Sequence, residues 1–166
     1  MTLTDLNNQT VDQAHHTFMQ CCTSSTWVNA MVAARPYADK RSLTNQADSV
    51  WQDLGDADYL EAFDGHPQIG NLDTLRAKYA NTKALASGEQ SAVHEASDQV
   101  LLDLAKGNAD YLEKFGFIFI VCATGKSAAQ MLALLEARLP NDKTTELVNA
   151  AAEQRKIFHL RLEKLL

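Results

Sequence analysis

The sequence predicts an all-α protein. Three observations carry that expectation. Only 7 glycines and 3 prolines interrupt the chain, apolar residues recur at helical rather than alternating spacing, and a Ser or Thr three residues before a Gln opens three of the apolar stripes. The first expected helix starts at the Thr10/Gln13 box and lines up Val11, Ala14, Phe18, Met19 and Cys22. Ser24 or Ser25 caps a second helix through Trp27, Val28, Met31 and Val32, which Pro36 stops because proline lacks the N–H that a helix needs. A third is expected over about 42–54. Asp56 or Asp58 opens a short helix through Tyr59, Leu60 and Phe63 that ends at Gly65, and a further short one covers 72–79. The Ser87/Gln90 box introduces a long helix over 89–105 that Gly107 is expected to end, after which Asn108 caps a turn through Tyr111, Leu112 and Phe115. The last two helices are expected over 127–139 and about 144–165. Strand character is confined to FIFIV, and with no repeat, low-complexity tract or linker the whole of 1–166 is expected to be one domain.

A chain of 166 residues supports a real core, since a domain of about 150 residues buries about 70% of its unfolded surface. Fifteen Lys and Arg against 21 Asp and Glu give a formal charge of -6, which argues against general nucleic-acid binding. A local basic pocket for a small anion remains compatible with that sign. Cys21, Cys22 and Cys122 form neither a C-x-x-C pair nor an even framework, so buried thiols in a reducing compartment, the cytoplasm, are expected. No apolar stretch approaches the roughly 18 residues of a membrane span, and the first residues do not read as an export signal.

The stretch FGFIFIVCATGKSAAQ, residues 115–130, resembles a strand entering a phosphate-binding loop, because Gly125, Lys126 and Ser127 supply a Gly-Lys-Ser ending. The pattern also needs a glycine five positions before Gly125, where Ile120 stands, and a β-branched residue takes positive φ only at high cost. Ser127 with Gln130 is better read as a capping box for the run Met131, Leu132, Leu134, Leu135 and Leu139.

The least helical polar stretch is AFDGHPQIGN, residues 62–71, which holds His66 between Gly65 and Pro67. Proline biases its predecessor to extended backbone, so His66 sits on a short rigid connection suited to a general acid or base. His94, Glu95 and Asp98 distantly resemble a zinc-binding H-E-x-x-H helix, but lack the second histidine and a third ligand, so no metal is expected. His15, His16 and His159 read as surface or packing residues. Glu89 in a first helical turn and Arg161 near a helix end both have purely structural readings from the helix dipole.

Taken together, FDGHPQIG at 63–70, SGEQ at 87–90, FGFIFIV at 115–121, ARLPND at 137–142 and HLRLEKL at 159–165 resemble the 2-oxo-4-hydroxy-4-carboxy-5-ureidoimidazoline (OHCU) decarboxylase family. CCTSSTWVNAMVAARPY at 21–37 is similar to that family's opening. The resemblance implies an all-helical, cofactor-free, dimeric enzyme that converts the ureidoimidazoline to (S)-allantoin and carbon dioxide. It implies catalytic roles for His66 and Glu89, and substrate contacts from Pro67, Ser87, Gln90 and Arg161. It also implies a pocket wall formed by Phe117, Ile118, Phe119, Ile120 and Val121, partly through their main chain. Two positions depart from the family pattern: Ile118 stands where proline is frequent, and Ala86 where a serine is common, leaving Ser87 either to substitute for it or to cap the helix. His66 is expected to take the 4-hydroxyl proton, to give the C5 proton, or both. Arg161 is expected on a ring or ureido carbonyl, and Glu89 either on the ureido N–H groups or orienting His66. The alternative reading is a non-catalytic helical interaction module in which FIFIV is a partner-binding face.

Overall fold

A computed structural model describes residues 1–67, 71–83 and 90–166, with the side chains of 80–83 and 90–97 outside that description. The described residues form nine helices and no strand: α1 (Leu3–Asn8), α2 (Val11–Met19), α3 (Ser25–Ala33), α4 (Lys40–Gln52), α5 (Asp56–Asp64), α6 (Leu72–Lys83), α7 (Gln90–Phe115), α8 (Ala128–Arg138) and α9 (Lys143–Leu165). The all-α expectation therefore holds. The capping chemistry holds too: Thr10 and Ser127 each accept from the backbone N–H three residues on, and Gln13 and Gln130 close the boxes in return.

Three expectations need correction. The N-terminal turn α1 was not anticipated, although Thr2 and Asp5 form a capping box of their own around a segment that buries only Leu6. Val11 is 66% exposed, because it stands directly after the Thr10 cap and the packed face of α2 begins at Ala14. Gly107 does not end a helix but lies inside α7, which runs unbroken through Asn108 to Phe115. A glycine costs a helix interior about 1 kcal/mol relative to alanine. Here that is outweighed by packing on α8, since Leu135 Cδ2 lies 2.6 Å from the point a Cβ on Gly107 would occupy. The helix stops instead at Gly116, whose φ of 78° is the left-handed value that glycine adopts without penalty, and whose N–H bonds the Leu112 carbonyl at 2.9 Å.

The chain forms two compact units. The first comprises Met1–His66, Ile120–Cys122 and Leu147–Leu166. Its core is aromatic: Phe158 of α9 lies 5.2 Å from Trp27 of α3 and 5.6 Å from Trp51 of α4, ring centroid to centroid. Both indole N–H groups are satisfied, Trp27 by the Ala47 carbonyl and Trp51 by that of Ala151, each at 3.1 Å. Those bonds set the depth at which α3 meets α4 and α4 meets α9, because a buried indole without a partner is unfavourable. On the outer side of the same packing, Asp48 accepts from Arg155 at 2.7 and 2.6 Å and from His159 at 2.6 Å. His159 is thus a packing residue, as its sequence position suggests.

The second unit comprises Pro67–Phe119 and Ala123–Glu146, with α7 packed on α8 and on α6. Its centre is Glu146, 0% exposed, whose carboxylate accepts from Arg138 Nε and Tyr111 OH at 2.6 Å each and from Asn141 Nδ2 at 2.9 Å. The Arg138 guanidinium in turn lies 4.7 Å over the Phe119 ring. Tyr111 meets Phe117 and Phe119 edge-on, at 5.9 and 5.3 Å. The aromatic run that looks strand-like in sequence is accordingly irregular backbone held by ring contacts, and the Gly-Lys-Ser ending is a turn at Gly125 followed by the Ser127 cap. The nucleotide-loop reading has no support here.

Candidate active site

The first unit places His66 at the end of α5, and the packing around it explains the glycine before it. Thr23 donates from Oγ1 to the carbonyls of Ala62 at 3.2 Å and Glu61 at 3.3 Å, closing off the last turn of α5. To reach them its side chain occupies the space beside Gly65: a Cβ there would stand 2.0 Å from Thr23 Oγ1 and 2.5 Å from Cγ2. Gly65 has an ordinary helical φ of -74°, so close approach rather than backbone freedom requires it. The start of α3 adds to the clamp. Ser25 N–H donates to Glu61 at 3.1 Å and Thr26 Oγ1 to Asp58 at 2.6 Å. Phe63 is fully buried below, and the His66 N–H bonds its carbonyl at 3.1 Å. The imidazole therefore leaves the clamped C-terminal end of α5.

The half-buried His66 ring meets α9. Its Nε2 hydrogen-bonds Gln154 Oε1, and since an amide oxygen only accepts, Nε2 carries the hydrogen and Nδ1 carries the lone pair. Gln154 is 0% exposed, and its Nε2 has no hydrogen-bond partner among the described residues. Leaving such a donor unpaired costs about 1–3 kcal/mol. Arg161 lies seven residues, about two turns, along the same face of α9. It donates from Nη1 to the Cys21 carbonyl at 3.1 Å, and its charge acts on His66. Burial holds the His66 pKa below the ordinary imidazole value of 6.5, the Arg161 charge works in the same direction, and the Gln154 bond opposes both. The result is a neutral imidazole at neutral pH with a basic Nδ1.

The neighbouring thiols are not competing nucleophiles. Burial pushes Cys21 up to about 11 and Cys22 up to about 12, and Arg161 offsets this only in part. Ile120 and Cys122 are buried in the same unit, where Glu153 of α9 accepts the Cys122 N–H at 2.9 Å.

Of the residues singled out in sequence, His66, Arg161, Ile120 and Val121 fall in the first unit, with Val121 half-buried. Phe117, Ile118 and Phe119 belong to the second, Phe117 buried and the other two half-buried. Pro67 opens that second unit and is exposed. Ser87 and Glu89, with Ala86, lie outside the described residues, and Gln90 is described only as the first residue of α7. The side chains of His94 and Glu95 also lie outside, while Asp98 pairs with Arg76 at 3.7 Å. Among the described residues no group of His, Cys, Asp and Glu is arranged to hold a metal.

Sequence reasoning missed Gln154 and Thr23. A signal for Gln154 exists: it occupies the register of Ala150, Ala151, Phe158 and Leu162, the apolar stripe of α9, so it is a polar residue at a core position. Thr23 has no such signal, because its partners are backbone carbonyls 38 and 39 residues away.

Fold and site define an all-helical protein with a neutral, hydrogen-bonded histidine under the influence of an arginine's charge, a class suited to acid–base chemistry. The chain belongs to the OHCU decarboxylase family, whose model matches residues 7–163. It is 37% identical over 145 residues to the uric acid degradation bifunctional protein TTL of Arabidopsis thaliana, covering 87% of this chain and 45% of that protein. It is 26% identical to the 2-oxo-4-hydroxy-4-carboxy-5-ureidoimidazoline decarboxylase of Xenopus laevis, covering 98% of this chain and 93% of the other. The chain thus spans less than half of the bifunctional relative. Among solved structures, an OHCU decarboxylase crystallised in the presence of (S)-allantoin superposes with a TM-score of 0.69 at 36% identity, covering 89% of this chain and 95% of that one. An (S)-allantoin synthase shares the fold, with a TM-score of 0.68 at 18% identity, covering 99% of this chain and 54% of the other.

Proposed function

We propose that this protein decarboxylates 2-oxo-4-hydroxy-4-carboxy-5-ureidoimidazoline to (S)-allantoin and carbon dioxide in urate degradation. The observation that carries the reading is His66: the position matching the family's catalytic histidine holds a neutral imidazole whose Nε2 is engaged by Gln154 and on which the Arg161 charge acts. The family match runs through both compact units, which supports their acting as one catalytic domain.

The chemistry needs little beyond positioning. Breaking the bond from C4 to its carboxylate releases an electron pair into C4=C5, while the C5=N pair moves onto the ring nitrogen, which takes a proton from solvent. The substrate is its own electron sink, so the reaction calls for no cofactor. The enol left at C4 then loses its hydroxyl proton as C5 gains one, and delivery to a single face makes one enantiomer. His66 Nδ1 accepts the hydroxyl proton and returns it to C5, a relay that a neutral imidazole performs near neutral pH.

Arg161 is assigned to a ring or ureido carbonyl. A tight pair with the departing carboxylate would stabilise the ground state against the reaction, since that charge disperses in the transition state. Gln154 already holds His66 Nε2, which favours Glu89 on the ureido N–H groups, with Pro67, Ser87, Gln90 and the 117–121 run completing the substrate's surroundings. We assign the active form to a homodimer in the cytoplasm. Three buried cysteines outside any disulfide favour a reducing compartment.

The test is direct. Freshly generated ureidoimidazoline, followed by its ultraviolet decay, should disappear far faster with micromolar protein than spontaneously, and the product should be optically active. A rate equal to the background would leave a helical interaction module as the better reading.

A further inference from the structure

We propose that Gln154 is a positioning residue for the reaction: by accepting the hydrogen of His66 Nε2 it holds the imidazole in the tautomer whose Nδ1 lone pair meets the substrate. The inference rests on the decarboxylase reading for its catalytic meaning, while its structural content stands separately. Two observations carry it. The Gln154 oxygen bonds His66 across 88 residues of sequence, from a side chain that is completely buried in the α9 face of the first unit. The amide nitrogen of the same side chain is buried and meets no hydrogen-bond partner among the described residues.

That second fact is what a residue kept for a single acceptor would show. A glutamine kept for packing would be expected to satisfy both of its polar ends, because a half-satisfied buried amide is worse than an apolar residue of the same shape. Gln154 stands on a stripe otherwise made of Ala150, Ala151, Phe158 and Leu162, where methionine or leucine would serve the core. The position therefore sacrifices stability for a hydrogen-bond acceptor at one place, the Nε2 of His66. A neutral imidazole has one hydrogen to distribute between two nitrogens, and the bond made by one nitrogen decides the role of the other. With an apolar residue at 154 the hydrogen moves to Nδ1, where it can be solvated or can face the substrate, and the base is lost.

The experiment uses the full chain labelled with nitrogen-15 at histidine, at about pH 8, where an imidazole is neutral. The His66 signals are assigned by their disappearance in His66→Asn. In the unmodified protein they should report hydrogen on Nε2 and a lone pair on Nδ1. Gln154→Met should move the hydrogen to Nδ1, leave the melting temperature unchanged or higher, and lower kcat by about 10²-fold, the scale of losing a positioned base. Gln154→Glu keeps an acceptor at the same reach, so it should retain the Nε2–H tautomer and more activity than Gln154→Met. Hydrogen on Nδ1 in the unmodified protein would mean that the amide presents its NH2 to the ring instead, and would overturn the proposal without any variant having to fold. So would a Gln154→Met protein with a lowered melting temperature and normal kcat, which is the signature of a packing residue. An Nε2–H tautomer in a protein that does not accelerate ureidoimidazoline decay would refute the decarboxylase reading while leaving the Gln154–His66 assignment in place.

Discussion

Thr23 and Gly65 are mutually exclusive neighbours of a Cβ: the threonine hydroxyl lies 2.0 Å from where that atom would stand. Thr23 is β-branched and is held by its bonds to the Glu61 and Ala62 carbonyls, so it has no low-energy rotation away. Gly65→Ala should destabilise the protein by about 1–3 kcal/mol, as overpacking does. Under the proposed role of His66, the next residue, kcat should fall by up to about 10²-fold, the cost of a shift near 1 Å in a group that acts on substrate. Urea unfolding and steady-state kinetics on the same preparation check both effects. An alanine variant with normal stability and rate would mean that the clamp is looser than the geometry shows.

Replacing His66 with asparagine keeps a polar group of similar size and removes proton transfer near neutral pH. Turnover should fall by about 10²- to 10⁴-fold, with the helical content unchanged. The residual allantoin should lose optical activity as water protonates both faces of C5. His15→Asn and His16→Asn, both in α2, should be close to silent. Chiral chromatography of the product decides the matter: a fully (S) product at a near-normal rate would move the catalytic role to another residue.

The His66 pKa sets two pH dependences with the same sign. Under the proposed mechanism its neutral form is the base, so kcat/KM should fall as pH drops through a value below the ordinary 6.5. Stability should follow, because the unfolded chain binds a proton at a higher pH than the folded one: the contribution is complete above about 6.5 and is lost as pH falls through the folded value. The groups acting on the ring are Gln154, which favours the charged form, and Arg161, which opposes it. Arg161→Gln should therefore shift the acid limb toward higher pH while lowering kcat/KM overall. A limb that stays in place would show that burial alone sets the value.

In the second unit, the ion pair of Glu146 with Arg138 is the buried electrostatic centre, and removing one member takes the opposite charge away from the other. Glu146→Ala should cost about 3–5 kcal/mol. Tyr111 and Asn141 lose their acceptor as well, and the Arg138 guanidinium that covers Phe119 loses its carboxylate partner. Guanidinium unfolding measures the loss, and a cost below about 1 kcal/mol would place the pair in the class of solvated surface bridges.

Much of this protein was legible from local chemistry. A cap acts over three residues, so Thr10 with Gln13 and Ser127 with Gln130 announce their helices in the sequence itself, and the Gly-His-Pro neighbours mark His66 as held off the helices. The ordered motifs, too, carry the family without any coordinates. What tertiary structure alone decided are contacts between residues that no local pattern relates. Gly107 looks like a stop signal, yet α7 continues through it, because Leu135 fills the space a side chain would need and the packed face repays the weak helix former. FIFIV looks like a strand, yet it finds no strand partner among the described residues and is fixed by Tyr111 and Arg138. His66 is visible in one dimension, but its tautomer depends on an amide 88 residues away, since burial and a single acceptor, not the neighbours in sequence, determine which nitrogen keeps the proton.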